Sequence, residues 1–376
     1  MVPAELRPRQ HARIRPICAQ RPTALKETAV AARPDLSDLY DDPVARRISI
    51  KDVAVAAGVS PTTVSDALSG KGRLPAATRE LVRKHARELG YTPSSTARSL
   101  VAGRSGILLM SVGTADLENA AMWDVEFFVR VMSSASTVAL NAGYALALSP
   151  ADPHGLRSEI SFDGAIVVDP VPGNYVVDRA IQASRPLVTI GHLDGVASTI
   201  IDNDFETAVR GVLDHFWANG ARRPALVSSP IDASYATRCV AEYERWCAEH
   251  HLPAQVVVTK SGLSDESGRL AALDLLAQQE PPDAVFATLD RLALGVVAGA
   301  QQSNVDIPRD LMVAGLGDSE AAAHHRIPIS SVDLEPTMLG RLAAEALIRR
   351  IETHEIPPNR TVLSTLIVRA SSTRSQ

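Results

Sequence analysis

The chain has 376 residues, which is too long for one ordinary domain and suits two or three. Its 45% apolar and 22% charged residues are typical of a globular protein, and no apolar run approaches the length of about 18 residues that a membrane span needs. Cys18, Cys239 and Cys247 show no CxxC spacing, which argues against a zinc site or a disulfide framework and indicates a reducing compartment. Residues 1–33 lack the apolar core of a secretory signal.

Basic residues are concentrated in one short segment. From Arg46 to Arg104 there are eleven Lys and Arg against four Asp and Glu, whereas the whole chain has a formal net charge of -5. A small basic module joined to a larger acidic body is typical of a DNA-binding protein with a separate sensing domain. Charge alone leaves open a second interpretation, a basic helix face that is simply solvated.

The N-terminal residues 1–46 contain six prolines and no apolar periodicity, which predicts a disordered extension. From Ile48 onwards the pattern becomes helical, and residues 47–92 form a predicted helical domain. Ser49 is a suitable N-cap for a first helix with helically spaced apolar residues, and Gly58 ends that helix. Ser60 then caps a second helix that has Pro61 at its first position.

A third helix is predicted from about Ala76 to Leu89, with Leu81, Val82 and Leu89 pointing inward. The short second helix would pack back on the first through Val64 and Ala67. This arrangement is a helix-turn-helix, and it predicts an outward face suited to a DNA major groove. The alternative is a three-helix bundle with an unrelated role. The residues predicted on the outward face are Pro61, Thr62, Thr63, Ser65 and Asp66.

Residues 105–376 alternate between short apolar runs and helical stretches. Such alternation predicts parallel sheets covered by helices on both faces, and the number of units favours two lobes with a ligand cleft near the carboxyl ends of the strands. The predicted strands are Ile107–Val112, Tyr144–Leu148, Gly164–Val168, Leu187–Ile190, Ala225–Val227, Gln255–Val258, Ala284–Ala287 and Leu311–Ala314. The predicted helices are Glu126–Asn141, Asn174–Ala183, Asp204–Asn219, Ala236–His250, Ser267–Gln279, Arg291–Ser303 and Pro336–Thr353.

The helical domain resembles the lactose and galactose repressor (LacI/GalR) family of transcriptional regulators. The similarity is carried by an ungapped run of short motifs, and it continues more weakly over nearly all of the remaining chain. The motifs are Ile48-Ser-Ile-Lys-Asp-Val-Ala, Ala57-Gly-Val-Ser, Thr63-Val-Ser, Leu68-Ser-Gly-Lys-Gly-Arg, Glu88-Leu-Gly-Tyr-Thr-Pro and Ala97-Arg-Ser-Leu. The resemblance implies that the two-lobed body has a fold like that of periplasmic sugar-binding proteins.

The resemblance also implies how DNA is contacted. Pro61, Thr62 and Asp66 stand at the positions that contact base edges, and a second set would contact the DNA backbone. That set is Lys51, Ser60, Thr63, Ser65, Arg73 and Tyr91. Many family members have arginine where this chain has Asp66; the carboxylate could accept a hydrogen bond from cytosine N4, or it could simply pack at the end of the helix.

Residues 93–104 are assigned to a hinge helix and linker because the segment from Ser94 to Leu100 resembles the family's hinge helix. In the family this helix enters the minor groove and a pair of leucines kinks the duplex. Leu100 and Ala97 stand at those positions, with Arg98 in register between them. The alternative is that Leu100 anchors the linker to the body.

The resemblance implies an effector site between the two lobes. The candidate lining residues are Trp123, Asp124, Asp202, Asn203, Arg238, Leu263, Leu289 and Asp290. The chain departs from the family in a turn that usually carries an aspartate after an aromatic residue, because Gly317 stands there and Asp318 follows. Ala221 replaces a common histidine. These departures place a standard sugar effector in doubt.

The leading hypothesis is a ligand-responsive transcriptional regulator, and a repressor rather than an activator. It would be a homodimer, or a tetramer of two such dimers, on a near-palindromic operator. It would be cytoplasmic and associated with the nucleoid, with no cofactor and no metal. No HExxH, GxSxG or Walker A pattern supports the alternative of an enzyme. A transport-type binding protein is the third possibility, and the attached helix-turn-helix argues against it.

Overall fold

The structure, a computed structural model, describes residues 48–69, 73–91, 104–113, 126–149, 160–229, 234–259 and 263–374. The chain divides into two compact units, which end and begin at residues 92 and 93. The expected disordered extension and the expected hinge helix lie outside the described residues.

The N-terminal unit contains three helices, α1 (Ile50–Ala57), α2 (Pro61–Ser69) and α3 (Ala76–Glu88). The carboxylate of Asp52 accepts hydrogen bonds from the backbone N–H and the hydroxyl of Ser49, which closes the start of α1. Gly58 ends α1 with φ of 65°, a left-handed conformation that glycine adopts without steric cost. These local signals confirm the predicted helix-turn-helix.

The inward face of α3 differs from the prediction. Val82 and Ala86 are buried in the core of this unit, whereas Leu81 and Leu89 are 43% and 36% exposed. The chain turns at Gly90, and Tyr91 donates its backbone N–H to the Ala86 carbonyl at 2.8 Å and packs on the core. The prediction of Leu81 and Leu89 as core residues was wrong because Tyr91 covers the end of the helix and Leu81 lies one residue off the buried stripe.

The body contains two six-stranded sheets, which confirms the predicted two-lobed α/β architecture. The strands are β1 (Ile107–Val112), β2 (Ala145–Leu148), β3 (Gly164–Val168), β4 (Leu187–Ile190), β5 (Thr199–Asn203), β6 (Pro224–Ser228), β7 (Val256–Val258), β8 (Ala284–Ala287), β9 (Met312–Leu316), β10 (Ser330–Asp333), β11 (Arg360–Val362) and β12 (Thr365–Ile367). The first lobe has strand order β11-β5-β4-β3-β1-β2 with all strands parallel. The second has order β12-β10-β9-β8-β6-β7, and only β12 is antiparallel to its neighbour.

Helices cover both faces of each sheet because the central strands are apolar and buried on both sides. They are α4 (Glu126–Asn141), α5 (Tyr175–Gln182), α6 (Phe205–Ala218), α7 (Ser234–Glu249), α8 (Asp265–Leu276), α9 (Asp290–Gln302), α10 (Glu320–Ala323) and α11 (Pro336–Thr353). The chain ends in a 3-10 turn at Ala370–Ser372. No helix among the described ranges combines the length and the apolar character needed to cross a membrane.

The chain crosses between the two lobes three times. It leaves the first sheet after β5, returns after β10, and crosses once more between β11 and β12. Helix α6 packs in the core of the second lobe, and α11 packs in the core of the first. These three crossover segments, residues 203–205, 333–336 and 362–365, are the covalent connections between the lobes.

Helices α8 and α9 are in backbone contact, and α9 carries Asp290 at its start. A Cβ atom at Gly295 would overlap the carbonyl oxygen of Asp265, and one at Gly268 would overlap the carbonyl oxygen of Leu292. The two glycines therefore fix how closely these helices approach, and with it the position of the polar residues at the start of α9.

We expect Gly295→Ala to lower the free energy of unfolding by about 1–3 kcal/mol, since the added methyl group must push a backbone carbonyl aside. Gly211→Ala is the matched control because Gly211 lies in α6 with open space around its Cβ position. It should raise stability by about 0.5–1 kcal/mol through reduced chain entropy. Urea denaturation followed by circular dichroism measures both, and equal effects of the two substitutions would contradict the close packing.

Candidate functional site

The exposed face of α2 carries small polar side chains. Pro61, Thr62 and Ser65 are exposed, whereas Val64 and Ala67 are fully buried against the other two helices. This helix is therefore held by its apolar side and presents hydroxyl groups to the surroundings. A helix fixed in this way can enter a DNA major groove and contact base edges.

The start of α2 is held by a local hydrogen-bond pair. The Ser60 Oγ accepts the backbone N–H of Thr63 at 3.1 Å and lies 2.9 Å from the Thr63 Oγ1. Asp66, which stands where many members of the family that the sequence resembles have arginine, is half-buried. Of the other predicted DNA contacts, Lys51 and Arg73 are exposed and Tyr91 packs partly on the core.

Several predicted site residues lie outside the described residues. They are Ser94, Ala97, Arg98 and Leu100 in the linker, and Trp123 and Asp124 between β1 and α4. Their assigned roles stay predictions.

A cavity of about 580 Å³ lies between the two lobes, where strands of the first sheet reach their carboxyl ends. The loops after β3 and β4 and the end of β5 form one wall, and the start of α7 forms the other. The backbone N–H of His192 donates to the Ser234 Oγ at 3.3 Å across this gap. The lining residues are Pro170, Pro172, His192, Leu193, Asp194, Asp202, Ser234, Thr237 and Arg238.

Arg238 joins the two walls of this interlobe cavity. Its Nη1 donates to the Asp202 Oδ2 at 2.6 Å, and its Nε and Nη2 donate to the two carboxylate oxygens of Glu206 at 2.9 and 2.7 Å. Nη2 also donates to the carbonyl of Asn203 at 3.3 Å, and the guanidinium lies over the ring of Phe205. Four of its five N–H groups are thus occupied within the protein, which leaves little donor capacity for a ligand.

The two carboxylates that bind Arg238 have pKa values shifted in opposite directions. Burial raises the pKa of Asp202, although Arg238 opposes that rise. The bidentate hydrogen bond from Arg238 lowers the pKa of Glu206. The difference follows from exposure, because the side chain of Asp202 is 16% exposed and that of Glu206 is 40% exposed.

Asp169 is a carboxylate beside this cavity that sequence reasoning did not select. It follows β3 directly, with φ of 46°, and precedes Pro170 of the cavity lining. Burial, together with the nearby charge of Asp202, raises the pKa of Asp169 to about 7. Protonation near neutral pH would therefore change the charge at this end of the cleft.

The other lining residues missed from the sequence follow predicted strands within a few positions. His192 and Asp194 come just after β4, with the His192 Nε2 2.9 Å from the Asp194 Oδ1. Ser234 and Thr237 open α7, the helix that follows β6. The rule that ligands meet the carboxyl ends of parallel strands, applied to each predicted strand in turn, would have found them.

Leu289 and Asp290, predicted for the same site, line a different cavity. This second cavity, of about 400 Å³, also includes Glu126 and Phe127 from the first lobe and Gly317 after β9. Leu263 lies just before α8, half-buried and outside the described linings of both cavities. The structure therefore divides the predicted effector residues between two places.

Asp290 is buried and its carboxylate holds parts of its own lobe together. Oδ2 accepts the backbone N–H of Ser319 at 2.6 Å, and Oδ1 accepts the Ser331 hydroxyl at 2.5 Å. Asp318 does not line either cavity, because its carboxylate lies 2.7 Å from Nη1 of Arg369. In this turn Gly317, and not Asp318, is among the residues that line the second cavity.

Within the part of the chain that the structure describes, no group of three or more His, Cys, Asp or Glu could hold a metal ion. His324 and His325 are used locally, since the ring Nδ1 of each lies 3.1 Å from a nearby backbone carbonyl oxygen.

Two family models match the chain. Residues 49–94 match the model described as bacterial regulatory proteins, lacI family, and residues 213–372 match a periplasmic binding protein-like domain. The first match covers α1 to α3 and the second covers most of the body's second lobe.

Similarity to known proteins covers most of the chain. The HTH-type transcriptional regulator CelR of Thermobifida fusca is 28% identical over 344 residues, which is 87% of this chain and 98% of that protein. The HTH-type transcriptional repressor PurR of Vibrio atlanticus is 27% identical over 316 residues, 81% of this chain and 92% of that protein.

Solved structures share the fold. The lac repressor dimer bound to operator and the anti-inducer ONPF superposes with a TM-score of 0.74 at 20% identity, covering 88% of this chain and 100% of that one. The CelR–cellobiose complex superposes with a TM-score of 0.64 at 24% identity, covering 86% and 100%. At these identities the structures establish the fold, and the function rests on the matched models and relatives.

Proposed function

We propose that the chain is a transcriptional repressor of the lacI family of bacterial regulatory proteins, and that its operator affinity depends on a small molecule bound between its lobes. The observation that carries the proposal is the exposed hydroxyl face of α2, held rigidly on α1 and α3 within the region matched by the family model. The DNA-binding domain extends from 47 to 92, the hinge helix and linker from 93 to 104, and the effector-binding body from 105 to 376.

Base contacts come from Pro61 and Thr62 at the exposed start of α2 and from the half-buried Asp66 in its middle. Lys51, Ser60, Thr63, Ser65, Arg73 and Tyr91 contact the DNA backbone. Ser94, Ala97, Arg98 and Leu100 add minor-groove contacts, in which Leu100 wedges between base pairs. Phosphate contacts set the register of the domain, while the short polar side chains of α2 select the bases.

The effector is a small polar molecule that binds in the interlobe cavity. The polar groups of His192, Asp194, Ser234 and Thr237 line that space, and Pro170 and Leu193 supply apolar surface. The similar CelR was solved with cellobiose, and the similar lac repressor with an anti-inducer. Because Arg238 already binds Asp202 and Glu206, an effector that engages it must compete with these carboxylates. Leu289 and Asp290 line the second cavity rather than this one.

The protein works as a homodimer on a near-palindromic operator, one helix-turn-helix per half-site, and dimers can pair further into tetramers. It acts by binding alone, without a catalytic step, and it is located in the cytoplasm because its target is chromosomal DNA. Ligand binding shifts the populations of lobe arrangements, and it changes operator affinity only as far as its affinities for those arrangements differ.

Selection from a random DNA library tests the DNA-reading role. Wild-type protein should enrich a two-fold symmetric site. Thr62→Ala should lower affinity for that site by about tenfold and relax the preference at one position in each half-site, since a base contact contributes about 1–3 kcal/mol of discrimination. Glu80→Gln on exposed α3 is the control and should leave the preference unchanged. A library that stays unselected by the wild-type protein would contradict the proposal.

Filling the interlobe cavity tests the effector site. A thermal-shift screen with cellobiose and other small polar metabolites should find a compound that raises the melting temperature of the wild-type protein. Thr237→Leu should abolish that shift because the larger side chain occupies the cavity. Ala197→Leu, in a groove elsewhere on the first lobe, should retain it. A shift that persists undiminished in Thr237→Leu would place the effector elsewhere.

A further inference from the structure

One buried amide contacts all three crossover segments. Asn203 ends β5 and is 3% exposed. Its side-chain Nδ2 donates to the carbonyl oxygen of Leu334 at 3.0 Å and to that of Val362 at 3.2 Å. Leu334 lies in the second crossover and Val362 at the start of the third. Both N–H groups of a single amide therefore bind the two other connections between the lobes.

The backbone of the same residue is part of the Arg238 cluster. The carbonyl of Asn203 accepts from the Arg238 Nη2 at 3.3 Å, and its N–H donates to the Asp202 Oδ1 at 2.8 Å. Asp202 and Arg238 both line the interlobe cavity. A continuous chain of hydrogen bonds thus leads from the cavity wall, through Asn203, to the two crossovers that return from the second lobe.

We propose that Asn203 is the positioning residue of the interlobe hinge, and that it limits the range of angles between the lobes rather than binding an effector. The inference goes beyond the proposed function, since it holds whatever the effector is. Its physical basis is that the sheets pair Asn203 with Val362 and Asp333 with Thr365 at the ends of the crossovers, and the amide of Asn203 links these two pairs through Leu334. The amide can therefore hold the separation of the crossovers while the neighbouring torsions change.

The cost of removing the amide supports this role. Leu334 and Val362 are 7% and 8% exposed, so their carbonyls have little access to water. Without Asn203 these carbonyls would regain partners only if the crossovers moved apart to admit solvent. The hinge would then sample lobe angles that the intact amide disfavours.

Pulsed electron spin resonance between labels on the two lobes measures this range directly. The full chain with Cys18→Ser carries labels at Gln182→Cys on α5 and Ser303→Cys after α9, both at exposed positions, while Cys239 and Cys247 are buried and unreactive. We expect Asn203→Ala to increase the population outside the wild-type distance peak about tenfold, which corresponds to the loss of two net hydrogen bonds.

The matched control is Asn174→Ala. Asn174 is 2% exposed, and its Oδ1 accepts the backbone N–H groups of Val176 and Val177 at 3.0 and 3.1 Å within one lobe. It loses comparable hydrogen bonds, so its thermal stability should fall while its interlobe distances stay as in the wild type. Equal distance distributions for Asn203→Ala, Asn174→Ala and the wild type would overturn the proposal.

If Asn203→Ala does not fold, Asn203→Ser provides the same test. A serine hydroxyl offers one donor instead of two. The interlobe distance distribution should therefore widen, but by less than is expected when both hydrogen bonds are lost. An unchanged distribution would again overturn the proposal.

Discussion

Two hydrogen bonds from the amide of Asn203 hold together the three segments by which the chain passes between its lobes. The rest of the body is arranged around this point. Because all strands except β12 are parallel within their sheets, their carboxyl ends meet at one edge, and the loops that follow β3 and β4 face the start of α7 across the cleft. The crossovers emerge at this same edge, since β5 ends there. The cavity therefore lies next to the crossovers. Asp202 lines the cavity, and the next residue, Asn203, contacts the crossovers.

The electrostatics of the cleft follow from the same geometry. Arg238 approaches from the second lobe and meets Asp202 on the first, while Glu206, at the beginning of α6, binds it from the side. The guanidinium is thereby neutralised and largely saturated before any ligand arrives. Asp169 adds a carboxyl group whose pKa is raised to about 7 by burial and by Asp202. An anionic ligand would enter against these carboxylates, whereas a ligand rich in hydrogen-bond donors would find acceptors in Asp194 and Asp202.

Local signals made much of the fold predictable. Ser49 caps the first helix, Gly58 forms the turn after it, and the central strands are continuous apolar runs. Each of these signals involves only residues that are neighbours in the sequence. The predicted elements therefore lie within three residues of the observed ones. Strands β11 and β12 were missed because they have three residues each, and β5 and β10 were missed because they carry polar residues such as Asp202 and Ser331. The site was harder to predict, since a sequence does not indicate which way a side chain faces at the end of a strand. Asn203 was expected to line the effector cavity, yet its amide lies at the crossovers, and Asp290 uses its carboxylate within its own lobe.

We propose that the arrangement of the lobes controls operator affinity, and a reversible cross-link tests this most directly. The backbone N–H of His192 donates to the Ser234 Oγ across the cleft at 3.3 Å, so these two positions are chosen for a disulfide, with His192→Cys and Ser234→Cys in a Cys18→Ser chain. Operator binding would be titrated with the protein oxidised and then reduced, with each single-cysteine chain as the control. If the lobes control operator affinity, that affinity should change by about fivefold or more between the two states of the double variant, as expected for allosteric coupling. Equal affinities in the oxidised and reduced states would contradict it.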